Sequence, residues 1–501
     1  MTDAVLAIDQ GTTGCTSVVL ARDGSILGHA TSEFTQHYPQ PGWVEHDPEE
    51  IWRVCLEVME GALTAAALPP ENIRAVGITN QRETTVIWDR KTGAPLHRAI
   101  VWQSRQTDSI CEQLRADGLE PLITRRTGLV VDPYFSGSKA KWILDRYPEA
   151  RARADAGELC FGTIDTWLLY KLTGGETHAT EPTNASRTLL YDIRAHRWDP
   201  ELLQIFGVPE AMMPDVLPSS GVFGTTVSQG PLPGGVPVAG IAGDQQAALF
   251  GQGCWQPGSV KNTYGTGCFV MLNTGPELRR SDCGLLTTVC CDAEGRPAYA
   301  LEGSVFTTGA AVQWLRDEMG LIGTAAESEG IASEVDDTQG VYVVPAFTGL
   351  GAPYWDMHAR GAVIGLTRGA GRNHIVRATL ESIAYQSRDV IDAMNQGCGE
   401  CVAELRVDGG ASANNFLMQF QADILGVPVV RPRLIETTAI GAAFLAGLGA
   451  GVWRDSTEIE NVWQEDRRFT PAMGATQRER LYVGWQEAVD RVRADRRDAV
   501  R

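Results

Sequence analysis

Lysine is almost missing from this chain of 501 residues: Lys91, Lys139, Lys141, Lys171 and Lys261 are the whole set. Any lysine that contacts a phosphate must come from these, and arginine supplies nearly all of the positive charge. There is no G-x-x-x-x-G-K-[ST] stretch, the nearest candidate, Gly137-Ser138-Lys139-Ala140, having the wrong spacing. Nor does a G-x-G-x-x-G follow any strand-like run, so a P-loop nucleotidase and a Rossmann dehydrogenase are disfavoured. Runs of basic residues are absent too. Lys+Arg 43 against Asp+Glu 62 gives a formal charge of −19, which repels nucleic acid and anionic membrane. The longest uncharged apolar stretch, residues 439–453, is rich in Gly and Ala and falls short of the roughly 20 residues that a membrane span needs. Met1-Thr2-Asp3-Ala4-Val5 carries no basic n-region and no long apolar segment, so a cytoplasmic protein without a secretory signal is expected. The 11 cysteines are scattered, and neither Cys290-Cys291 nor the Cys398/Cys401 pair has a second pair at zinc spacing. Reduced structural thiols are expected, not a metal or redox centre.

A chain of this length predicts two large domains. Residues 5–8, 16–21 and 26–30 read as strands, with a hairpin turn at Arg22-Asp23-Gly24. Asp47-Pro48-Glu49-Glu50 combines an N-cap acid, Pro at N1 and further acids in the first turn, and Ile51, Val54, Cys55, Val58 and Ala62 mark the buried face of the helix that follows. Strands are predicted at 73–79, 84–88, 236–241, 259–263, 268–272 and 405–407. Helices are predicted from about 136, over 165–171, through Ala247-Ala248, through Phe416, Phe420 and Ile424, and over the small-residue segment 439–446, which could pack closely at a domain junction.

Three turns carry the chemistry. Asp9-Gln10-Gly11-Thr12-Thr13-Gly14 follows a buried-looking strand, exposes backbone N–H groups and two hydroxyls, and ends that strand in a carboxylate able to hold magnesium through water. Tyr264-Gly265-Thr266-Gly267 repeats the Gly/Thr turn at the start of the second half, a weak internal echo of the first. Asp408-Gly409-Gly410, between a short strand and the helix after Asn414, suits a nucleotide at a helix N-terminus. Asp244, between Gly243 and a helix, is either an N-cap or a catalytic base. Arg82 and Glu83 sit together in a strand connection, where adjacent opposite charges are ordinarily solvated and inert.

Taken in order, Asp9-Gln-Gly-Thr-Thr, Ile78-Thr-Asn-Gln-Arg-Glu-Thr-Thr, Asp132-Pro-Tyr-Phe-Ser-Gly, Ile241-Ala-Gly-Asp-Gln-Gln, Tyr264-Gly-Thr-Gly, Phe347-Thr-Gly-Leu-Gly-Ala-Pro-Tyr-Trp and Asp408-Gly-Gly resemble the FGGY carbohydrate kinases of the actin/hexokinase-like superfamily. The likeness is strongest to the glycerol-phosphorylating members and runs from Val5 to about Trp485. It implies an α/β fold of two actin/hexokinase-like (ribonuclease H-like) domains, each a mixed sheet flanked by helices, with a cleft between them. The domains would be 1–252, bearing polyol-binding residues and the first phosphate turn, and 253–501, binding nucleotide, with a hinge near residues 251–253.

The implied reaction is ATP-dependent phosphorylation of glycerol to sn-glycerol 3-phosphate with Mg²⁺. By position, Arg82, Glu83, Tyr134, Asp244 and Gln245 would bind glycerol hydroxyls, and Trp102 and Phe269 would wall its carbons. Thr12, Thr13, Gly14, Thr266, Gly309, Gln313, Gly410 and Asn414 match ATP positions, Asp9 and Asp244 would hold the metal, and Asp244 would be the base. A homodimer or homotetramer is implied. The alternatives are another FGGY kinase acting on a pentulose or sugar acid, and a non-catalytic actin-like assembly protein, which would have no reason to keep Arg82, Glu83 and Trp102 together. Thr16 stands where some members carry a phosphate-contacting Arg, and residues 227–237 contain neither the Arg nor the His through which some members are controlled.

Overall fold

The computed structural model describes residues 3–398 and 402–493, so Cys401 and the side chain of Cys398 lie outside the described residues. The first of its two large sheets comprises β1 (Ala4–Gln10), β2 (Gly14–Ala21), β3 (Ile26–Glu33), β4 (Ile73–Asn80), β5 (Ser220–Thr225) and β6 (Pro237–Gly243), in the order β5-β6-β4-β1-β2-β3. Strands β1, β2 and β3 form an antiparallel meander, β1, β4 and β6 run parallel, and β5 closes the edge antiparallel to β6. The second sheet comprises β7 (Val260–Tyr264), β8 (Cys268–Gly275), β9 (Leu286–Cys291), β10 (Pro297–Val305), β11 (Leu405–Asp408), β12 (Val429–Pro432) and β13 (Glu465–Phe469), in the order β9-β10-β8-β7-β11-β12-β13. Read from its other edge, β13-β12-β11-β7-β8-β10 repeats the first sheet strand for strand and direction for direction, with β9 added. The echo between the two Gly/Thr hairpins is therefore a duplication of architecture.

Local chemistry accounts for these elements. Strand β1 is a nearly unbroken apolar run because it is central and covered on both faces. Helix α1 (Pro48–Ala66) starts where the N-cap signal predicts: Asp47 accepts the Glu49 N–H at 2.9 Å, and the predicted apolar face is buried against β2 and β3. A smaller sheet pairs Thr85–Asp89 with Leu159–Thr163 and carries the chain away from β4. Helix α2 (Ser136–Arg146) follows the Asp132-Pro133-Tyr134 segment as expected.

Helix α3 (Asp244–Gly251) leaves β6; in the second half, α4 (Gly309–Asp317) follows β10, α5 (Arg372–Cys398) covers the second sheet, and α6 (Asn415–Leu425) follows β11. The small-residue helix α7 (Thr437–Gly449) lies on the first sheet, against β1, β4 and β6, and crosses α3. A Cβ added at Gly441 would lie 1.8 Å from the Ala247 carbonyl oxygen, and one at Gly251 2.2 Å from that of Thr437. The backbones of the two helices therefore touch, as the composition suggested. Among the described residues no helix is long and apolar enough to cross a membrane.

Candidate active site

The register brings the predicted residues together. Asp9 pairs with Thr79 and Gly243 with Asn80, so Asp9, Gln81-Arg82-Glu83 and Asp244 all leave the first sheet at the carboxyl ends of adjacent parallel strands, the usual ligand edge of such sheets. In the second sheet Thr263 pairs with Asp408, which sets the turn after β7 beside the turn after β11.

Arg82 and Glu83 are not solvated. They are 2% and 1% exposed, and Glu83 adopts a left-handed backbone (φ 63°). The Arg82 guanidinium forks onto Glu302, Nη1 donating to Oε2 at 2.5 Å and Nη2 to Oε1 at 3.1 Å, while Nη1 also reaches Gln246 Oε1 at 3.3 Å and Nε stands 3.1 Å from Asp244 Oδ1. Arg187 donates from Nε to Glu83 Oε1 at 2.5 Å and from Nη2 to Glu302 Oε1 at 2.9 Å. Burial pushes the Glu302 carboxyl up, but Arg187 and Arg82 outweigh it and hold the group at about 2. Burial leaves Glu83 above its usual range despite the same two arginines. Sequence reasoning missed Arg187, Gln246 and Glu302. The available signal for Glu302 was a lone acid inside an otherwise uncharged strand, which demands a partner.

Asp244 is the first helical residue and not the N-cap, which is Gly243. Its Oδ1 accepts the N–H of Gln245 at 2.7 Å. Gly243 is required by packing and not by its backbone: its φ of −59° suits any residue, but a Cβ there would sit 2.7 Å from Arg82 Cγ. Gln245 Oε1 accepts from the buried Lys261 Nζ at 2.5 Å, and Lys261 also reaches Thr263 Oγ1 at 2.8 Å. Burial lowers the Lys261 ammonium to about 8 against the pull of Asp408 and Asp244.

Burial, then Asp244, then Glu436 raise the half-buried Asp9 carboxyl to about 8. A carboxyl whose ionisation is opposed by burial and by a neighbouring carboxylate fits a divalent cation, whose charge would relieve it. Among the described residues no group of three or more metal-ligating side chains is found.

The aromatic residues converge on the same place. The Arg82 guanidinium lies 5.7 Å from the Phe269 ring centre, and Trp102 meets Tyr134 edge to face at 5.6 Å. Trp102 Nε1 donates to Thr12 Oγ1 at 2.8 Å, tying the aromatic wall to the first Gly/Thr turn. Thr13 is exposed beside it, and at Gly14 a Cβ would press on the Ser32 carbonyl at 2.7 Å. Across from these, Gly309 N donates to Gly265 O and Ala310 N to Thr266 O, each at 3.1 Å, and a Cβ on Gly309 would come within 2.5 Å of Gly265 O. Gly409 (φ 81°) seats on Tyr264, while a Cβ on Gly410 would meet nothing within 4 Å. Gln313 is exposed on α4. Asn414 Oδ1 caps α6 by accepting the Leu417 N–H at 2.9 Å. Thr16 faces Thr31, hydroxyl to hydroxyl, at 2.9 Å.

Known proteins place this geometry in context. Residues 4–251 match the N-terminal domain model of the FGGY family of carbohydrate kinases, and residues 260–450 match its C-terminal domain model. Among curated relatives, the glycerol kinase of Carboxydothermus hydrogenoformans is 58% identical over 489 residues, 98% of each chain. That of Shewanella sp. (strain MR-4) is 59% identical over 490 residues, 98% of this chain and 99% of the relative. Among solved structures, Plasmodium falciparum glycerol kinase with ADP superposes at a TM-score of 0.90 with 36% identity, covering 98% of both chains. Lactobacillus acidophilus gluconate kinase reaches 0.85 over 99% of both chains at 20% identity, a likeness of fold alone. Matched in both halves by the family models and from end to end by these relatives, the chain belongs to the FGGY family of carbohydrate kinases.

Proposed function

We infer that the chain transfers the γ-phosphoryl group of ATP to glycerol, giving sn-glycerol 3-phosphate and ADP. The observation that carries this reading is the placement of Asp244, 3.1 Å from Arg82, whose guanidinium lies 5.7 Å from the Phe269 ring centre, with Trp102 bridging to the Thr12 turn. A triol has an oxygen on every carbon, so a charged clamp fixes its orientation while aromatic faces exclude water. Arg82, Glu83, Tyr134 and Gln245 bind the hydroxyls, with Trp102 and Phe269 against the carbons. The names of the curated relatives favour glycerol over a larger sugar.

Phosphoryl transfer asks the protein mainly for alignment and charge stabilisation. Thr12, Thr13 and Gly14 on one side, and Thr266, Gly309, Gln313, Gly410 and Asn414 on the other, hold the nucleotide. The acceptor hydroxyl, in line with the γ-phosphorus, forms its O–P bond as the bond to the departing ADP oxygen breaks, and its proton passes to Asp244. An alcohol is far less acidic than a carboxylic acid, so this transfer comes late and Asp244 first orients the hydroxyl. Asp9 and Asp244 are the residues that would hold Mg²⁺, which when bound offsets negative charge on the phosphates. Closure of the two halves about residues 251–253 shuts out water and limits idle ATP hydrolysis.

The test is ADP production with glycerol, xylulose, gluconate or no acceptor. Turnover with glycerol alone is expected. ADP release indifferent to the acceptor would overturn the kinase reading, and a preference for xylulose or gluconate would overturn the choice of substrate.

A further inference from the structure

We propose that Arg187 and Glu302 are positioning residues for the polyol site, closing a buried ring of alternating charge with Arg82 and Glu83. The inference rests on the reading of Arg82 and Glu83 as the glycerol clamp. Around the ring, Arg82 forks onto Glu302 at 2.5 and 3.1 Å, Glu302 Oε1 accepts from Arg187 at 2.9 Å, Arg187 Nε donates to Glu83 at 2.5 Å, and Glu83 Oε1 returns to within 3.9 Å of Arg82 Nε. All four side chains are at most 2% exposed. Two positive and two negative charges cancel.

Stability alone does not account for such a ring. Removing four charges from water costs about as much as their mutual attraction returns, and apolar residues of the same size commonly serve as well or better. What the ring supplies is direction. An arginine side chain has several rotatable bonds, and the fork onto Glu302 fixes the plane of the Arg82 guanidinium. Its remaining Nε is buried beside Asp244 without a hydrogen-bond partner, a donor left for an oxygen that arrives with the substrate. Arg187 does the same for the opposite jaw: it anchors Glu83 and lies 5.6 Å from the Tyr134 ring centre, so one side chain braces two glycerol contacts.

The ring also joins the halves of the molecule. Glu302 stands on β10 of the second sheet, and across β8 its partner is Met271, two residues along from Phe269 and therefore on the same face. Arg82 leaves β4 of the first sheet, and Arg187 follows the short helix Pro182–Ala185. The clamp is aimed only when the two sheets stand in this register.

The test compares Glu302→Gln, Glu302→Asp and Arg187→Lys with the parent in steady-state assays that vary glycerol and ATP separately. Loss of a charge-assisted hydrogen bond predicts a rise in KM for glycerol of about 10- to 100-fold in Glu302→Gln, with KM for ATP within about twofold. Glu302→Asp, which restores the charge at shorter reach, should recover part of the loss. Arg187→Lys keeps every charge but loses the two-armed bridge between Glu83 and Glu302, and it reads the same split should Glu302→Gln fail to fold. Glycerol KM unchanged in Arg187→Lys and in the folded Glu302 variants, or glycerol and ATP KM rising together, would overturn the inference. A parent without glycerol-dependent ADP formation would instead overturn the functional reading beneath it.

Discussion

An acid in the first turn of a helix ordinarily serves the helix, and Asp244 does so while also facing Arg82 and the carboxyl of Asp9. Asp244→Asn keeps the shape and the first-turn contact but cannot take a proton. It is expected to lower kcat by about 10²- to 10⁴-fold while glycerol binding stays measurable by calorimetry; near-normal kcat would remove Asp244 from the base role. Asp9 gives a prediction whose sign is fixed by linkage. Its folded pKa is raised from 3.8 to about 8, so its stabilising contribution is complete below the unfolded value and is lost as pH rises through the folded one. Without Mg²⁺ or nucleotide, Asp9→Asn should therefore raise Tm by a few degrees near pH 9 (about one unit above the folded pKa), with the gain shrinking towards about pH 4. A gain independent of pH would contradict this. At this scale the glycine turns and their acids were legible in the sequence, because they are local. Arg82 and Glu83 read as surface charges by local rules, and only the family resemblance suggested a clamp. Their buried partners lie 220 and 104 residues away, beyond any periodicity. Lys261 and Glu302 left one trace, a single charge in a strand with no room for water.

At the scale of elements, the tightest glycine seat among the described residues is at the crossing of α3 and α7. Gly441→Ala would drive a methyl into the Ala247 carbonyl, and separating the two helices is expected to cost about 1–3 kcal/mol, read as a lower denaturant midpoint at constant m. Gly330 offers the control: it lies in the helix Glu327–Ser333, and a Cβ there meets nothing within 4 Å. Gly330→Ala should leave stability unchanged or raise it by up to about 1 kcal/mol. Equal effects in both variants would mean that the crossing is not what sets the change, because propensity alone favours alanine at both positions. Strands and capped helices with one buried face declared themselves through alternation and capping. The composition of α7 announced close packing but not its partner. A helix apolar all round carries no stripe that points to one neighbour, so nothing in the sequence told which sheet it would cover.

Across the whole molecule, the proposed glycerol site draws on Arg82, Glu83, Tyr134 and Asp244 in the first half, and contacts from Lys261, Phe269 and Glu302 reach it from the second. A ligand that binds only the joined halves stabilises both. Glycerol at about 100 times its Kd adds about 2.7 kcal/mol, and calorimetry should show one transition displaced upward as a unit. Two transitions, of which glycerol moves only one, would contradict a shared site. The repeated sheet order is the coarsest feature, and the sequence showed only a weak echo of it, in two Gly/Thr hairpins. The interleaving of the halves was not. Helix α7 is encoded after almost all of the second sheet, yet it roofs the first. On the ribosome, the first sheet emerges early and must wait with one apolar face bare until residues 437–449 have been synthesised. The part of the protein that is translated first is thus among the last to be finished, and a message cut short before that helix yields a chain with an open core.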